Sequence, residues 1–215
     1  MTKRNFSDCD FEGYFDDDMQ QTKKVRHVMV PDDNILIYSR GYDIHFSDGI
    51  NKMSIQLLIR EIDRVIERHN KEFKKKPATI TLTIDSPGGS VTSVLKFVDH
   101  MNIVKKKHPY ITFQSVITGL AASAGTVMAL TAHTRCMTEH AYAMIHELSS
   151  GNSGQYTHFM SYSQFLTQMH EKLVDLYVKA TGKSKKQIEE WLNSETWCSA
   201  EEYKQMGFIT HIIGE

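Results

Sequence analysis

An α/β fold, with parallel strands joined by helices, is what this sequence predicts, and three observations carry the prediction. Segments of strong β-formers alternate with segments whose apolar residues recur every three or four positions, the signature of strand–helix units. Strands run into loops of glycine, alanine and serine, where something must approach the backbone closely. The final third then abandons the alternation for one long amphipathic helix.

Taken in order, residues 1 to about 30 stand apart. Asp8, Asp10, Glu12, Asp16, Asp17 and Asp18 are interleaved with Phe11, Tyr14 and Phe15, followed by Lys23, Lys24 and Arg26. No helical or strand period runs through them, so this stretch is expected to be a solvated tail or an acidic-aromatic segment that docks on a partner or sister subunit. Residues 31–215 form the expected folded domain. Ile35–Tyr38 reads as a buried strand, and Ile55, Leu58, Ile59, Ile62, Val65 and Ile66 fall on one face of a helix of about five turns. Lys71–Lys76 with Pro77 is a charged loop. Ala78–Asp85 alternates Ile80, Leu82 and Ile84 with threonines, a strand pattern.

After Ser86-Pro-Gly-Gly89, Val91, Val94, Leu95, Val98 and Met101 mark a second helix. Ile111–Ile117 is a strand, Ala122–Leu130 a helix, and Arg135–Met137 and Tyr142–Ile145 are short strands. The long helix, about residues 155–180, follows the Gly/Ser-rich stretch Ser149–Gly154. Its apolar stripe includes Phe159, Tyr162, Phe165, Met169, Leu173 and Tyr177. Such a helix either packs on its own domain or projects and takes a neighbour. Ser199-Ala-Glu-Glu202 has capping-box spacing and starts the last helix, which ends at Gly207 before a strand over Phe208–Ile213.

Composition narrows the function classes. With 40% hydrophobic and 24% charged residues the chain suits one domain with a substantial core. A formal charge of -1 argues against nucleic acid as the main partner. No apolar run approaches the roughly 20 residues that span a bilayer, so no membrane partner is expected. The opening residues, Met1 to Asp8, lack the apolar stretch of a secretory signal. Cys9, Cys136 and Cys198 make neither a disulfide framework nor a CxxC metal pattern. A reducing, cytoplasmic setting follows, or a host cytoplasm if the chain is viral. No cofactor or metal is expected.

Two loops and one strand end carry the chemistry. In Gly119-Leu-Ala-Ala-Ser123-Ala-Gly125, Ser123 falls on the first turn of an apolar helix. There its hydroxyl meets free backbone N–H groups, and the N–H of Ala124 is placed for an oxyanion; a helix–helix contact through Ala and Gly is the other reading. Pro87 and the glycines Gly88 and Gly89 make a loop able to offer N–H groups to a carbonyl, or a plain turn. His146 ends the apolar strand Ala141–Ile145, and strand ends in α/β folds face the binding crevice. Ten further histidines dilute that signal.

Together, SPGG, GLAASAG and MIH in that order resemble the Clp protease proteolytic-subunit family, serine peptidases of the crotonase-like superfamily. The resemblance spans roughly residues 34–213. It implies a crotonase-like fold of repeated ββα units with a projecting handle helix. It further implies Ser123 as nucleophile, His146 as general base, and Gly88 and Ala124, with Gly89 alongside, as the oxyanion hole. The family's aspartate before a hydrophobic–Ser–Ala stretch maps to Glu195, with Asn193 in reserve. The residues Glu-Thr-Trp before that stretch, and Gly-Leu-Ala-Ala-Ser, look like the phage-type branch, which includes head-maturation proteases.

The resemblance also implies a peptide or unfolded-protein substrate, a homo-oligomer built as a heptameric ring or double ring, and an AAA+ unfoldase as partner. The acidic first 30 residues and Lys71–Lys76 depart from the family's pore-lining segments. Two other classes share the fold and stay open: acyl-CoA enzymes, whose paired N–H groups hold an enolate, and non-catalytic ring or capsid-associated subunits.

Overall fold

The computed structural model describes residues 26–29 and 36–214. Of the expected N-terminal tail, only Arg26–Met29 lie within it, and the acidic-aromatic residues fall outside the described residues.

Arg26–Met29 form strand β1, which pairs antiparallel with β2, Leu36–Arg40. A tight turn at Gly41 and Tyr42 returns the chain as β3, Asp43–Ser47, in antiparallel register with β2. The sequence reading passed over β3, although Ile44 and Phe46 are buried while Asp43 and Ser47 face solvent, the alternation of a half-buried strand.

Helix α1, Lys52–Phe73, follows, started by a capping box in which Asn51 and Ser54 satisfy each other's backbone N–H groups. It extends about two turns beyond its apolar stripe, so Lys71 belongs to the helix and only Lys74 to Pro77 form the charged loop. Strand β4, Ala78–Ser86, runs parallel to β3, the expected crossover. Helix α2, Val91–Lys107, is capped by Ser90, whose hydroxyl accepts from the Ser93 N–H.

Strand β5, Ile111–Ala122, is five residues longer than the alternating apolar pattern indicated, and that extra length positions the site. Its first part, Gln114–Ile117, pairs with β6, Thr134–Thr138, whereas its last part, Leu120–Ala122, pairs with β7, Tyr142–Ile145. The change of partner occurs around Gly119, at φ 73°. A Cβ there would sit 2.9 Å from an Asp85 carboxylate oxygen, and that same oxygen accepts the Leu120 N–H at 3.1 Å. Glycine is therefore required where the strand kinks.

Helix α3, Ala124–Ala129, is short, and the long helix α4 spans Tyr156–Thr181. Its 26 residues extend about 39 Å. Helix α5, Lys185–Asn193, and strand β8, Thr196–Cys198, come next, then α6, Ala200–Gln205, and β9, His211–Ile213. Among the described residues the strands join in one sheet, ordered β1-β2-β3-β4-β5-β6-β9, with β7 branching from β5 and β8 pairing β7.

The core lies between this sheet and the helices. Phe46, Ile55, Leu58, Ile84, Val94, Phe97 and Met128 are all buried there. Each such side chain contributes about 1.5–3 kcal/mol on removal from water. α4 divides in two: Met169, Leu173, Val174 and Tyr177 are buried, while Tyr156, Phe159, Met160 and Phe165 are exposed. No helix among the described residues is long and apolar enough to cross a membrane.

Candidate active site

Where β5 ends, the chain turns sharply into α3, and the residue at the turn is Ser123. The sequence reading put it on the first turn of the helix; the structure makes it the N-cap, one residue earlier. Its backbone adopts φ 53° and ψ −121°, a combination costly for a residue with a Cβ and held only when the surroundings impose it. The imposition is visible. The Ser123 N–H donates to the Met144 carbonyl of β7 at 2.7 Å, and the Ser123 carbonyl accepts the Thr126 N–H at 3.0 Å and the Thr126 hydroxyl at 2.6 Å. Both ends of the residue are fixed, so the side chain is presented outward.

Two residues beyond Met144 stands His146, at the end of β7. Its Nε2 is 2.8 Å from Ser123 Oγ, and both side chains are half-buried. The strand pairing that fixes the serine's N–H thus also brings the imidazole alongside its hydroxyl. A hydroxyl donating to Nε2 leaves the proton of a neutral ring on Nδ1.

The glycine loop after β4 closes another side. Gly88, at φ 90°, lies so close to the β5–α3 turn that a Cβ would come within 2.4 Å of the Ala122 carbonyl and 2.9 Å of Ser123 Cβ. No other residue fits there. The loop is held from behind: the Ile50 N–H donates to the Gly88 carbonyl and the Ser90 N–H to the Ile50 carbonyl, each at 2.7 Å, across a bridge between Ile50 and Gly89. Ser86 Oγ donates to the Asp48 carbonyl at 2.6 Å and receives the Gly88 N–H at a long 3.2 Å. Ala124, buried, follows Ser123 directly, and Gly125 packs against the Ser86 carbonyl. Gly88, Gly89, Ser123, Ala124 and His146 therefore gather at one end of the sheet.

Glu195 comes near them only through its backbone. β7 and β8 pair with Ile145 opposite Thr196, and one further step of that register sets Glu195 opposite His146. The residue is exposed, takes a left-handed φ of 46°, and its carboxylate accepts the Trp197 indole N–H at 3.3 Å rather than an imidazole proton. Asn193, the reserve candidate, is exposed at the end of α5.

The reading of motifs missed Thr126 and Tyr177. Thr126 Oγ1 lies 2.7 Å from the hydroxyl of Tyr177 on α4. Burial pushes the Tyr177 hydroxyl up to about 12, so it stays protonated. A threonine three residues past a serine in a glycine–alanine segment was the available signal. A hollow of about 380 Å³ lies between α2 and α4, walled by Thr92, Leu95, Phe165 and Met169 among others, and neither Ser123 nor His146 lines it. The Ser123–His146 pair instead lies at the ends of β5 and β7, where α/β sheets commonly carry their sites. Among the described residues no cluster of histidine, cysteine and carboxylate side chains is suited to a metal ion.

Comparison with known proteins places the chain among relatives. A family model described as Clp protease matches residues 43–215. The ATP-dependent Clp protease proteolytic subunit 1 of Chlamydia trachomatis serovar D is 36% identical over 174 residues, covering 79% of this chain and 85% of its own length. The protein of the same name from Chlamydia muridarum has the same identity and coverage. That of Protochlamydia amoebophila is 30% identical over 174 residues, 79% of each chain.

Proposed function

This chain belongs to the Clp protease family, and on that footing we propose that it is a serine endopeptidase cleaving peptides or unfolded proteins through an acyl-enzyme on Ser123. One observation carries the reading: the Ser123 hydroxyl lies 2.8 Å from His146 Nε2 on a strained, doubly clamped backbone.

A peptide would lie as an added strand beside the Gly88–Gly89 loop, bringing its carbonyl carbon to Ser123 Oγ. His146 takes the hydroxyl proton as Oγ attacks, and the carbonyl oxygen, now negative, turns toward the Ala124 N–H and the amides of the glycine loop. Collapse expels the amine, which leaves with the proton from His146. Water, deprotonated by the same ring, then releases the acyl group. Glu195 orients the ring once its carboxylate exchanges the Trp197 indole for the His146 Nδ1–H, a move that needs side-chain rotation because the backbones already stand in register.

The relatives' name describes an ATP-dependent proteolytic subunit. By analogy this chain works as a homo-oligomeric chamber of ring form, fed by an AAA+ unfoldase. The exposed apolar half of α4 is the surface on which a second copy packs, as a handle would. The peptide hydrolysis itself uses no nucleotide.

Fluorophosphonate labelling with peptide mapping tests the assignment. The adduct is expected on Ser123, and Ser123→Ala is expected to abolish cleavage of a fluorogenic peptide while leaving assembly intact. An adduct on Ser86 or Ser90, or unchanged turnover in the mutant, rejects it. Glu195→Ala is expected to lower kcat by about 10²-fold, with Asn193→Ala near wild type. The reverse order would transfer the third role to Asn193.

A further inference from the structure

The residue that fixes the oxyanion donor need not touch the substrate, and hydrogen bonding around Ser123 identifies one that does not. A trans peptide is planar, so its carbonyl and its N–H point in opposite directions. The carbonyl of Ser123 and the N–H of Ala124 belong to one such plane. Whatever holds the carbonyl therefore aims the N–H.

Two groups hold it, the Thr126 N–H at 3.0 Å and the Thr126 hydroxyl at 2.6 Å. A carbonyl only accepts, so the single hydroxyl proton of Thr126 is committed to Ser123. Thr126 Oγ1 must then accept from the Tyr177 hydroxyl, 2.7 Å away. The donor order runs one way: Tyr177 to Thr126 to the Ser123 carbonyl. Thr126 is fully buried and Tyr177 3% exposed, so water does not compete for either group. Tyr177 lies on the buried half of α4, where its ring also packs edge-on to Phe208 at 5.4 Å.

We infer that Thr126 and Tyr177 are positioning residues for the peptidase proposed above: by clamping the Ser123–Ala124 peptide plane they aim the Ala124 N–H at the developing oxyanion. The inference rests on that reading of the site and adds residues that the sequence motifs do not contain. Ser123 also gains a fixed ψ, which steadies a backbone that would otherwise relax from a costly region.

The experiment compares Thr126→Val, Thr126→Ser and Tyr177→Phe with wild type, using a fluorogenic peptide and the second-order rate of fluorophosphonate labelling at Ser123. Thr126→Val keeps the shape and removes the hydroxyl. Its kcat is expected to fall about 10-fold or more, with KM within about twofold, because an oxyanion donor acts chiefly in the transition state. Thr126→Ser, which restores the hydroxyl, should return kcat to within a few-fold of wild type. Tyr177→Phe should lower kcat less, since it loosens the clamp without removing it. The apparent pKa in the kcat/KM profile should stay put in every variant, because the imidazole is untouched.

A merely structural role would lower the melting temperature and raise KM without the rescue by serine. Full kcat in Thr126→Val, or Thr126→Ser no better than valine, overturns the inference. If Thr126→Val does not fold, Tyr177→Phe decides by the same criterion. Wild-type protein that neither cleaves nor labels removes the proposed function and this inference together, whereas active wild type with unimpaired variants removes this inference alone.

Discussion

The two halves of α4 carry one apolar stripe and put it to two uses. From Met169 to Tyr177 the stripe is sealed in the core, with Val174 fully buried and the Tyr177 hydroxyl reaching the turn that holds Ser123. From Tyr156 to Phe165 the same kind of stripe stands in solvent, with Tyr156 77% and Phe159 54% exposed. Periodicity is identical across the boundary, so periodicity alone does not say which apolar residues belong to the fold. The difference lies in what surrounds each half. The anchored half is met by α3, α5 and the ring of Phe208. The other half leaves its large apolar side chains exposed, and on the proposed reading its partner is another copy.

Substitutions at matched stripe positions break or sharpen this contrast. Val174→Asp is expected to have the largest effect, because a carboxylate with no partner in the core costs several kcal/mol, much of a domain's stability. Circular dichroism should show no cooperative unfolding, and a folded, active variant would mean that the anchored half is not anchored. Paired Phe159→Glu and Phe165→Glu are expected to leave monomer folding within about 0.5 kcal/mol of wild type, as surface changes do. They should shift the assembled species to a smaller one in analytical ultracentrifugation. Unchanged mass would assign this half another role.

The smallest expected effect concerns α6, which supports the anchored half through Tyr203 stacked on Phe208 at 4.5 Å. The Glu202 carboxylate accepts the Ser199 N–H at 2.8 Å and its hydroxyl at 3.0 Å, and these bonds hold its pKa below the usual value. A depressed folded pKa stabilises the fold at pH above the unfolded value of about 4.3. That contribution disappears as pH falls through the folded value. Glu202→Gln should therefore melt slightly below wild type at neutral pH, and the gap should close in acid. A gap that widens in acid would contradict the sign.

Much of this was legible in the residues. Ile80, Leu82 and Ile84 alternating with threonine announced β4, and the spacing of Ile55 to Ile66 announced α1, because both elements bury one regular face. Ser123, His146 and the glycine loop could be picked out as motifs, and the structure brings them together. Less visible were elements whose signal is short or borrowed. β8 is only Thr196–Cys198 and exists by pairing with β7, while α5 has a Ser184–Gln187 capping box that went unread. β5 outran its apolar pattern because Asp85, distant in sequence, satisfies the Leu120 N–H beyond Gly119. The orientation of Glu195 was out of reach for the same reason: a side-chain choice between Trp197 and His146 leaves no periodic trace.

The branch of the sheet formed by β7 has a wider meaning for how this molecule tolerates change. Hydroxyl and imidazole are carried on neighbouring strands that share a rung, from the Ser123 N–H to the Met144 carbonyl, so their spacing is a local dimension and not a sum over the whole architecture. Drift along the far margin, at β1 and β2, passes through several ladders before it reaches that rung. Evolution is thereby free to remodel the outer strands and whatever contacts they make, while the serine–histidine pair keeps its distance.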